Sequence, residues 1–522
     1  MLQKKLTQIY NNKILISVLA ILAFFINFHY GFIGMMPMDN TVLFNGGYRV
    51  LKGYIPFTDY WLVTGPLLDY LNASFFKILG ISWSTFIIHS SLVNSILAIS
   101  SFYFFIKINL TKEFAFFYSL LISILFYPVV GTPFVDHHST FFMILSFYGL
   151  IIALKTNNTK YFLIIPILLC LSFLSKQTPA AYGIISICFF VFLIIIFDKK
   201  RRLETFKNSL IGTLIAILFL LAFFFFTKIN FADFIQQYIN FGSSIGKVRL
   251  NNYEFNLFNE IYKYKFISVF LLFLLITLII LKIKKTLLLE DFFVIILSVI
   301  LSINIVFHQL ISLNQNFIFF LIPFLCGIFH SHYKKAFASR YLLIFLISIC
   351  LFSVGKYHIR FNEERKFNEL EKIDLTKSID AKLIDKKLKG LKWITYLHPN
   401  DPKQEIISLL EAIKVFKNDQ TNKMLITEYQ IISPILDIYD NSPNQWHHPS
   451  VSFPLRGNKY FKVYQEYFIS KIKKKNIETI FETRDDENLI ISLILDESCY
   501  TKKRVKKKLI KVKLILDCSE LK

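Results

Sequence analysis

The chain has little glycine, proline or cysteine. Its 522 residues include 17 glycines, 14 prolines and 6 cysteines, and no glycine-rich run has the spacing of a phosphate-binding loop. No Cys-x-x-Cys or Cys-x-x-His spacing is present, which argues against the usual structural zinc sites. The net charge of +23 comes without an RNA- or DNA-binding signature, so we expect no nucleic-acid partner.

Apolar residues, in contrast, are abundant. They make up 54% of the chain, with 58 phenylalanines and a mean hydropathy of +0.50. Runs of roughly 17 to 25 apolar residues, the length that crosses a bilayer core, recur between Lys13 and Gly355. We predict a polytopic, mainly α-helical protein of the lipid bilayer. About eleven spans are predicted, near residues 13–31, 84–106, 114–130, 139–154, 161–175, 178–197, 208–227, 266–281, 291–307, 315–330 and 341–355.

The distribution of basic residues predicts the orientation. Most lysines and arginines before residue 356 fall in connections on the same side as the N-terminus, and such residues stay in the cytoplasm. The first span has no small-residue cleavage site after it, so we expect it to be retained. The C-terminal region is then periplasmic, in a bacterial inner membrane, if residues 61–80 do not cross. If they cross, the C-terminal region is cytoplasmic.

Two domains are predicted. Residues 1–355 form the membrane domain, with outer loops at 32–82 and 228–265, and residues 356–522 form a small soluble α/β domain. In the second domain we expect helices from Asp401 to about Lys417 and over 460–474, each followed by a short strand, and a basic edge strand over 505–516. Cys499 and Cys518 either form a disulfide or remain two free thiols, and the sequence favours neither.

Polar residues cluster at the predicted outer ends of the spans and in the outer loops. Ionisable groups at membrane depth are rare unless they serve a purpose. Carboxylates, imidazoles and cations on one face would suit a group-transfer reaction at the membrane surface. The candidate site residues are Asp39, Asp59, Asp136, His137, His138, Lys176, Gln177, Arg249 and His308.

Residues 39–60, which begin with Asp39-Asn40 and end in Pro-Phe-Thr-Asp-Tyr, are followed by Gly-Pro-Leu-Leu at 65–68. This stretch resembles the first outer loop of the GT-C membrane glycosyltransferases that use polyprenyl-phosphate sugars, a group that includes protein mannosyltransferases and the aminoarabinose transferase of lipid A. The stretches 171–179 and 316–323 are similar to two further elements of that group. Many relatives have Asp-Glu where this chain has Asp39-Asn40.

The resemblance implies transfer of a sugar from a polyprenyl monophosphate to a glycolipid, glycan or protein acceptor of the cell envelope. Asp39 would be the general base. Lys176 and Arg249 would hold the phosphate. Asp136, His137 and His138 would act as a second acid/base group, position the acceptor, cap the following helix or bind a divalent metal; we expect no metal and no cofactor.

Other interpretations of these residues are open. Asp39 is otherwise a solvated loop acid, Lys176 a lysine reaching the interface from a helix end, and Asp59 a brace of its own turn. For the whole chain, the alternatives are a transporter or flippase of lipid-linked sugars and an envelope polysaccharide polymerase. The sequence does not specify the sugar or the acceptor.

Overall fold

The structure, a computed structural model, describes residues 2–312, 317–484, 488–515, 517–518 and 520–521, with side chains described from residue 13 onward. Most of these residues are helical. In chain order the α-helices are α1 (Leu2–Tyr30), α2 (Pro37–Leu51), α3 (Leu67–Leu79), α4 (Trp83–Lys107), α5 (Lys112–Leu125), α6 (Val135–Thr156), α7 (Tyr161–Ser175), α8 (Gln177–Phe197), α9 (Arg202–Thr227), α10 (Phe231–Phe234), α11 (Gly242–Asn251), α12 (Leu257–Lys263), α13 (Lys265–Ile283), α14 (Leu289–Ser312), α15 (Leu321–Ala336), α16 (Arg340–His358), α17 (Pro402–Asn418), α18 (Ile432–Leu436) and α19 (Phe461–Lys474).

Each of the eleven predicted spans corresponds to a helix, although two residues of one span, 315 and 316, lie outside the described residues. Within the described residues, eight helices are long and apolar enough to cross a membrane: α1, α4, α6, α8, α9, α13, α14 and α16. The other three, α5, α7 and α15, have 14 to 16 residues. The prediction of a polytopic helical membrane protein is confirmed.

The chain divides into two compact units. The first, unit 1, comprises Met1–Phe32, Ile87–Phe223 and Arg249–Phe367. Inside it, polar side chains of the apolar helices bond to neighbouring helices: Asn27 Nδ2 donates to Ser90 Oγ at 2.9 Å, and Asn94 Nδ2 donates to the Ala23 and Ser123 carbonyls at 2.8 and 3.0 Å. Since no water competes in a bilayer, these bonds fix how the helices pack.

The second, unit 2, comprises Ile33–Phe86, Phe224–Val248 and Asn368–Lys522. Its helices α2 and α3 approach closely because two glycines of α2 face α3. A Cβ on Gly46 would lie 2.1 Å from Asp69 Oδ1, and one on Gly47 would lie 2.5 Å from Asn72 Cβ. Asn72 Nδ2 also donates to the Leu43 carbonyl at 3.1 Å. The predicted division of the chain after residue 355 stays a prediction.

The C-terminal part of unit 2 contains a four-stranded sheet. Its strands are β3 (Lys423–Ile426), β4 (Thr479–Glu482), β5 (Tyr500–Lys506) and β6 (Leu509–Leu514), in the order β3-β4-β6-β5. β3 and β4 are parallel and each follows one of the two predicted helices, α17 and α19. A separate two-stranded ladder joins β1 (Ile379–Asp380) to β2 (Lys392–Trp393).

The prediction of one basic edge strand over 505–516 is wrong. The segment belongs to a hairpin, in which β6 pairs with both β4 and β5, and β5 is at the edge of the described sheet. In β6, Leu509, Ile510, Val512 and Leu514 are buried, so β6 has the apolar content of an inner strand. The lysine-rich β5 takes the edge, where exposed charges discourage pairing with another chain.

Cys499 and Cys518 form a disulfide bond, with their Cα atoms 5.2 Å apart. This is one of the two states that the sequence left open. The bond ties the start of β5 to the segment that follows β6, at the end of the described chain.

Candidate functional site

Asp136 is the centre of a charged cluster in unit 1. Both of its carboxylate oxygens accept hydrogen bonds from Lys176 Nζ at 2.7 Å, and Oδ1 lies 2.7 Å from His308 Nε2. The Asp136 side chain is fully buried, and that of Lys176 is 17% exposed. Three of the predicted site residues therefore meet at one place, with the lysine on its accessible side.

Helix ends bring these three groups together. Asp136 is in the first turn of α6, where a carboxylate is favoured by the helix dipole. Lys176 has extended backbone between α7 and α8, and Ser139 Oγ of α6 donates to its carbonyl at 3.3 Å. His308 lies in the last turn and a half of α14. The break between α7 and α8 thus presents the lysine to the start of α6.

Arg249 interacts electrostatically with the Asp136 carboxylate of the same cluster. Its Nη1 donates to the Ser312 carbonyl at 2.8 Å. Burial lowers the pKa of the Arg249 guanidinium, and the Asp136 carboxylate acts in the opposite direction. Gln177 begins α8 and is half-buried next to Lys176. Together, Lys176 and Arg249 give the cluster two basic side chains against one carboxylate.

His137 and His138 turn away from Asp136. His137 Nε2 lies 3.1 Å from the Phe126 carbonyl, and its ring lies 4.3 Å from that of Phe317. His138 Nε2 lies 3.0 Å from His89 Nε2. Consecutive helical residues point about 100° apart, so these three side chains face three different neighbours. They do not share a site for one ion.

No group of three or more histidine, cysteine, aspartate or glutamate side chains is arranged to hold a metal ion within the part of the chain that the structure describes. The expectation that the protein needs no metal and no cofactor stays a prediction.

Asp39 belongs to unit 2, in the first turn of α2, and is half-buried. It acts electrostatically on the Tyr396 hydroxyl, as do Glu369 and Glu428. Burial and, in decreasing order, the charges of Glu428, Glu369 and Asp39 raise the pKa of the Tyr396 hydroxyl to about 12. The next residue, Asn40, is buried and its Oδ1 accepts from the Met36 amide at 2.6 Å. In this chain, the residue after Asp39 therefore bonds to the backbone just before α2 and has a structural contact there.

Asp59 also lies in unit 2. Its Oδ2 accepts from the Ile55 amide at 2.9 Å, which is the turn-bracing contact considered from the sequence. It lines a small cleft with Tyr54, Tyr439 and Lys471. Asp59 and Asp39 are thus in the same unit, while the other seven candidate site residues are in unit 1.

The sequence reasoning missed His89. It is buried in α4 and meets His138, whose Nδ1 is hydrogen-bonded to the Tyr127 hydroxyl. The signal was available, because a histidine inside an apolar span is rare without a partner. The acids that act on Tyr396 together with Asp39 gave no such signal, since Glu369 and Glu428 are hundreds of residues after it in an ordinary polar region.

Residues 63–225 match the family model of the dolichyl-phosphate-mannose-protein mannosyltransferases. The matched segment contains Asp136, Lys176 and Gln177, whereas Asp39 and Asp59 precede it and Arg249 and His308 follow it. No curated protein matches the chain. The family match confirms the resemblance to the GT-C membrane glycosyltransferases and supports a membrane glycosyltransferase of that type. Of the stretches that carried the resemblance, 171–179 lies inside the matched segment, and Asn316 lies outside the described residues.

Proposed function

We propose that the protein transfers a sugar from a polyprenyl monophosphate to a cell-envelope acceptor at the periplasmic face of a bacterial inner membrane. The observation that carries the proposal is the pairing of Lys176 with Asp136 at 2.7 Å, inside the segment that matches the mannosyltransferase family. A cation held at the end of a membrane helix, partly exposed, is suited to the phosphate of a lipid-linked sugar.

The chemistry defines what the site must do. In the donor, C1 of the sugar is bonded to a phosphate oxygen. The acceptor oxygen forms a new bond to C1, the bond from C1 to the phosphate oxygen breaks, the acceptor proton goes to a base, and polyprenyl phosphate leaves. The enzyme therefore needs a base for the acceptor and positive charge for the departing phosphate.

Lys176 and Arg249 would supply the positive charge. Asp136 neutralises part of it, and both Asp136 oxygens already accept hydrogen bonds from Lys176, with His308 beside Oδ1. A carboxylate in that position is better suited to orient Lys176 and His308 than to deprotonate an acceptor. We therefore assign Asp136 to positioning, in place of the catalytic role first considered for it.

Asp39 would be the general base. It is the carboxylate at the start of the outer loop whose sequence resembles the GT-C group, and a half-buried position leaves it accessible. The disulfide between Cys499 and Cys518 supports an extracytoplasmic location for its unit, because such bonds persist in oxidising compartments.

The type of lipid-linked donor that the protein uses distinguishes this transferase from a polymerase or a flippase. The purified full-length protein in lipid nanodiscs is incubated with a radiolabelled polyprenyl monophosphate sugar or a polyprenyl diphosphate oligosaccharide, with total envelope lipid and glycan as acceptor. Transfer from the monophosphate supports the proposal. Transfer only from the diphosphate would instead identify a polymerase, and movement of either donor across proteoliposomes without transfer would identify a flippase.

A further inference from the structure

A cleft on unit 2 combines aromatic rings, lysines and one carboxylate. The space in and above it is about 280 Å³, including space open to solvent, so it is a shallow surface cleft and not one of the enclosed pockets of roughly 300 to 1,000 Å³ that usually hold small molecules. The enclosed part holds about 10 Å³, so a ligand would lie along the cleft more than inside it. The cleft is lined by Tyr54, Asp59, Tyr439, Asn441, Lys471, Lys474 and Lys475.

The aromatic wall of the cleft is rigid. The rings of Tyr54 and Tyr439 stack at 3.5 Å with planes 10° apart. The buried Arg49 guanidinium lies 5.6 Å from the Tyr439 ring, and Lys475 Nζ lies 6.0 Å from both ring centres. Cations over the ring faces strengthen this arrangement. A flat, fixed aromatic wall with a polar edge suits the stacking of a sugar ring.

The lysines are grouped at the last turn of α19. Lysines near a helix C-terminus are favoured by the helix dipole, but here two of them have no carboxylate partner: none pairs with Lys474 or Lys475 among the described residues. Burial lowers the pKa of the Lys471 ammonium; Asp59 and Asp233 oppose this, and Lys474 and Lys475 add to it. Three neighbouring ammonium groups that repel one another would be relieved by a bound anion.

The Asp59 carboxylate in the cleft favours an anion that also carries hydroxyl groups over a simple phosphate. One of its oxygens accepts from the Ile55 amide, and its Oδ1 has no hydrogen-bond partner within the described chain. A carboxylate beside three lysines weakens the binding of a simple phosphate or of an anionic lipid surface. It serves a ligand that carries hydroxyl donors next to its negative charge. Asn441, whose Nδ2 already donates to the Lys423 carbonyl at 2.9 Å, adds its amide oxygen as a further acceptor.

We propose that this cleft binds an acidic saccharide, with the lysines holding its anionic group and Asp59 and Asn441 hydrogen-bonding its hydroxyls. That this saccharide is the acceptor rests on the proposed glycosyltransferase function; the binding itself does not. The acceptor class would then be an anionic glycan, in place of a neutral glycan or a protein.

Binding is measured on the full-length protein in neutral detergent, with tetragalacturonic acid as the acidic probe and maltotetraose as the neutral one. We expect the acidic probe to bind at least tenfold more tightly. The double substitution Lys474→Gln with Lys475→Gln should weaken its binding about tenfold, and Tyr54→Ala should weaken it severalfold. The matched double substitution Lys414→Gln with Lys417→Gln, on the exposed face of α17, should leave it within twofold.

Two competitors identify the source of the anion. Inorganic phosphate and phosphatidylglycerol micelles are added to the protein with the acidic probe bound. Weak displacement by both agrees with the proposal. Equal binding of both saccharides, equal loss in the two double variants, or displacement by phosphatidylglycerol at the probe's own concentration would overturn it. The same measurements on the Asp39→Asn variant separate the two proposals, because binding there must persist whether or not sugar transfer occurs.

Discussion

The two units each bury a carboxylate with a basic partner. The two pairs differ in the exposure of the basic side chain and in the number of cations around the carboxylate. In unit 1, Asp136 holds Lys176, which is 17% exposed, with Arg249 acting on the same carboxylate. In unit 2, Arg49 Nη2 bonds to Asp440 Oδ1 at 2.8 Å, and both side chains are 0% exposed.

The surroundings of the two pairs show the same contrast. The Arg49–Asp440 pair is closed by further bonds: Arg49 Nη1 donates to the Asn444 carbonyl at 2.8 Å, and Ser433 Oγ donates to Asp440 at 2.6 Å. Such a pair joins α2 to the C-terminal part of unit 2 and is structural. The Asp136 cluster has an excess of cations and an accessible lysine, and we propose that it exchanges one partner for a substrate anion.

Among changes to the two ion pairs, the largest effect is expected from removing the accessible cation. Lys176→Met should lower sugar transfer about 10²- to 10³-fold, because the departing phosphate loses a charge placed for it. The assay uses saturating polyprenyl monophosphate sugar. The exposed lysine variant Lys200→Met, as control, should transfer at the wild-type rate; an active Lys176→Met protein would make the unit 1 cluster structural as well.

Removing the buried cation of unit 2 should instead reduce stability. Arg49→Met leaves Asp440 buried without its counter-charge, and we expect a loss of about 4 kcal/mol in the free energy of unfolding. Tryptophan fluorescence measures this unit alone, because all four tryptophans, at 61, 83, 393 and 446, lie in unit 2.

The matched control for that variant is Lys52→Met. Lys52 pairs with Asp437 at 2.9 Å, but the two side chains are 41% and 57% exposed, so we expect a change below about 1 kcal/mol. Similar losses in the two variants would mean that burial does not distinguish the pairs.

The disulfide gives the next largest effect. Replacing Cys499 and Cys518 with serine should lower the stability of unit 2 by about 3 kcal/mol, because the denatured chain loses a constraint across 19 residues. Urea unfolding followed by tryptophan fluorescence tests this, with Cys188→Ser as the control for an exposed free thiol. If alkylation of the native protein in cells labels both Cys499 and Cys518, the periplasmic location is wrong.

The smallest effect is a pH dependence in unit 2. Asp69 is fully buried in α3, which is not among the candidate spans, and burial raises its pKa to about 7 even though Tyr60 and Gln445 donate hydrogen bonds to it. The folded state therefore holds the proton more tightly than the unfolded state, whose pKa is about 4. The stability from this group is complete below about pH 4 and is lost as the pH rises through 7.

Between pH 6 and 8 the loss should be about 1.4 kcal/mol. Asp69→Asn, which resembles the protonated acid, should remove that dependence and unfold at a higher denaturant concentration at pH 8. An unchanged pH profile in Asp69→Asn would show that another group titrates.

The sequence predicted features that depend on neighbouring residues and missed those that depend on contacts between residues distant in the chain. Apolar runs are local, so each predicted span corresponds to a helix, and the Asp401 cap with Pro402 predicted the start of α17. Partners distant in sequence leave no local pattern: Asp136 and His308 are 172 residues apart, and Arg49 and Asp440 are 391 apart. The single strand predicted over 505–516 is wrong because residues 507–508, two lysines with no glycine, proline, asparagine or aspartate beside them, form a turn that reverses the chain.

The proposed mechanism requires that Asp39 accept the proton of the acceptor hydroxyl. Asp39→Asn keeps the size and polarity of the side chain but removes the base, and the test is its rate of sugar transfer from a radiolabelled polyprenyl monophosphate sugar, with membrane insertion and tryptophan fluorescence checked alongside. We expect transfer to be abolished in Asp39→Asn and retained in Asp437→Asn, a matched change at an exposed carboxylate of the same unit. Transfer by Asp39→Asn at a rate near that of the wild type would contradict it.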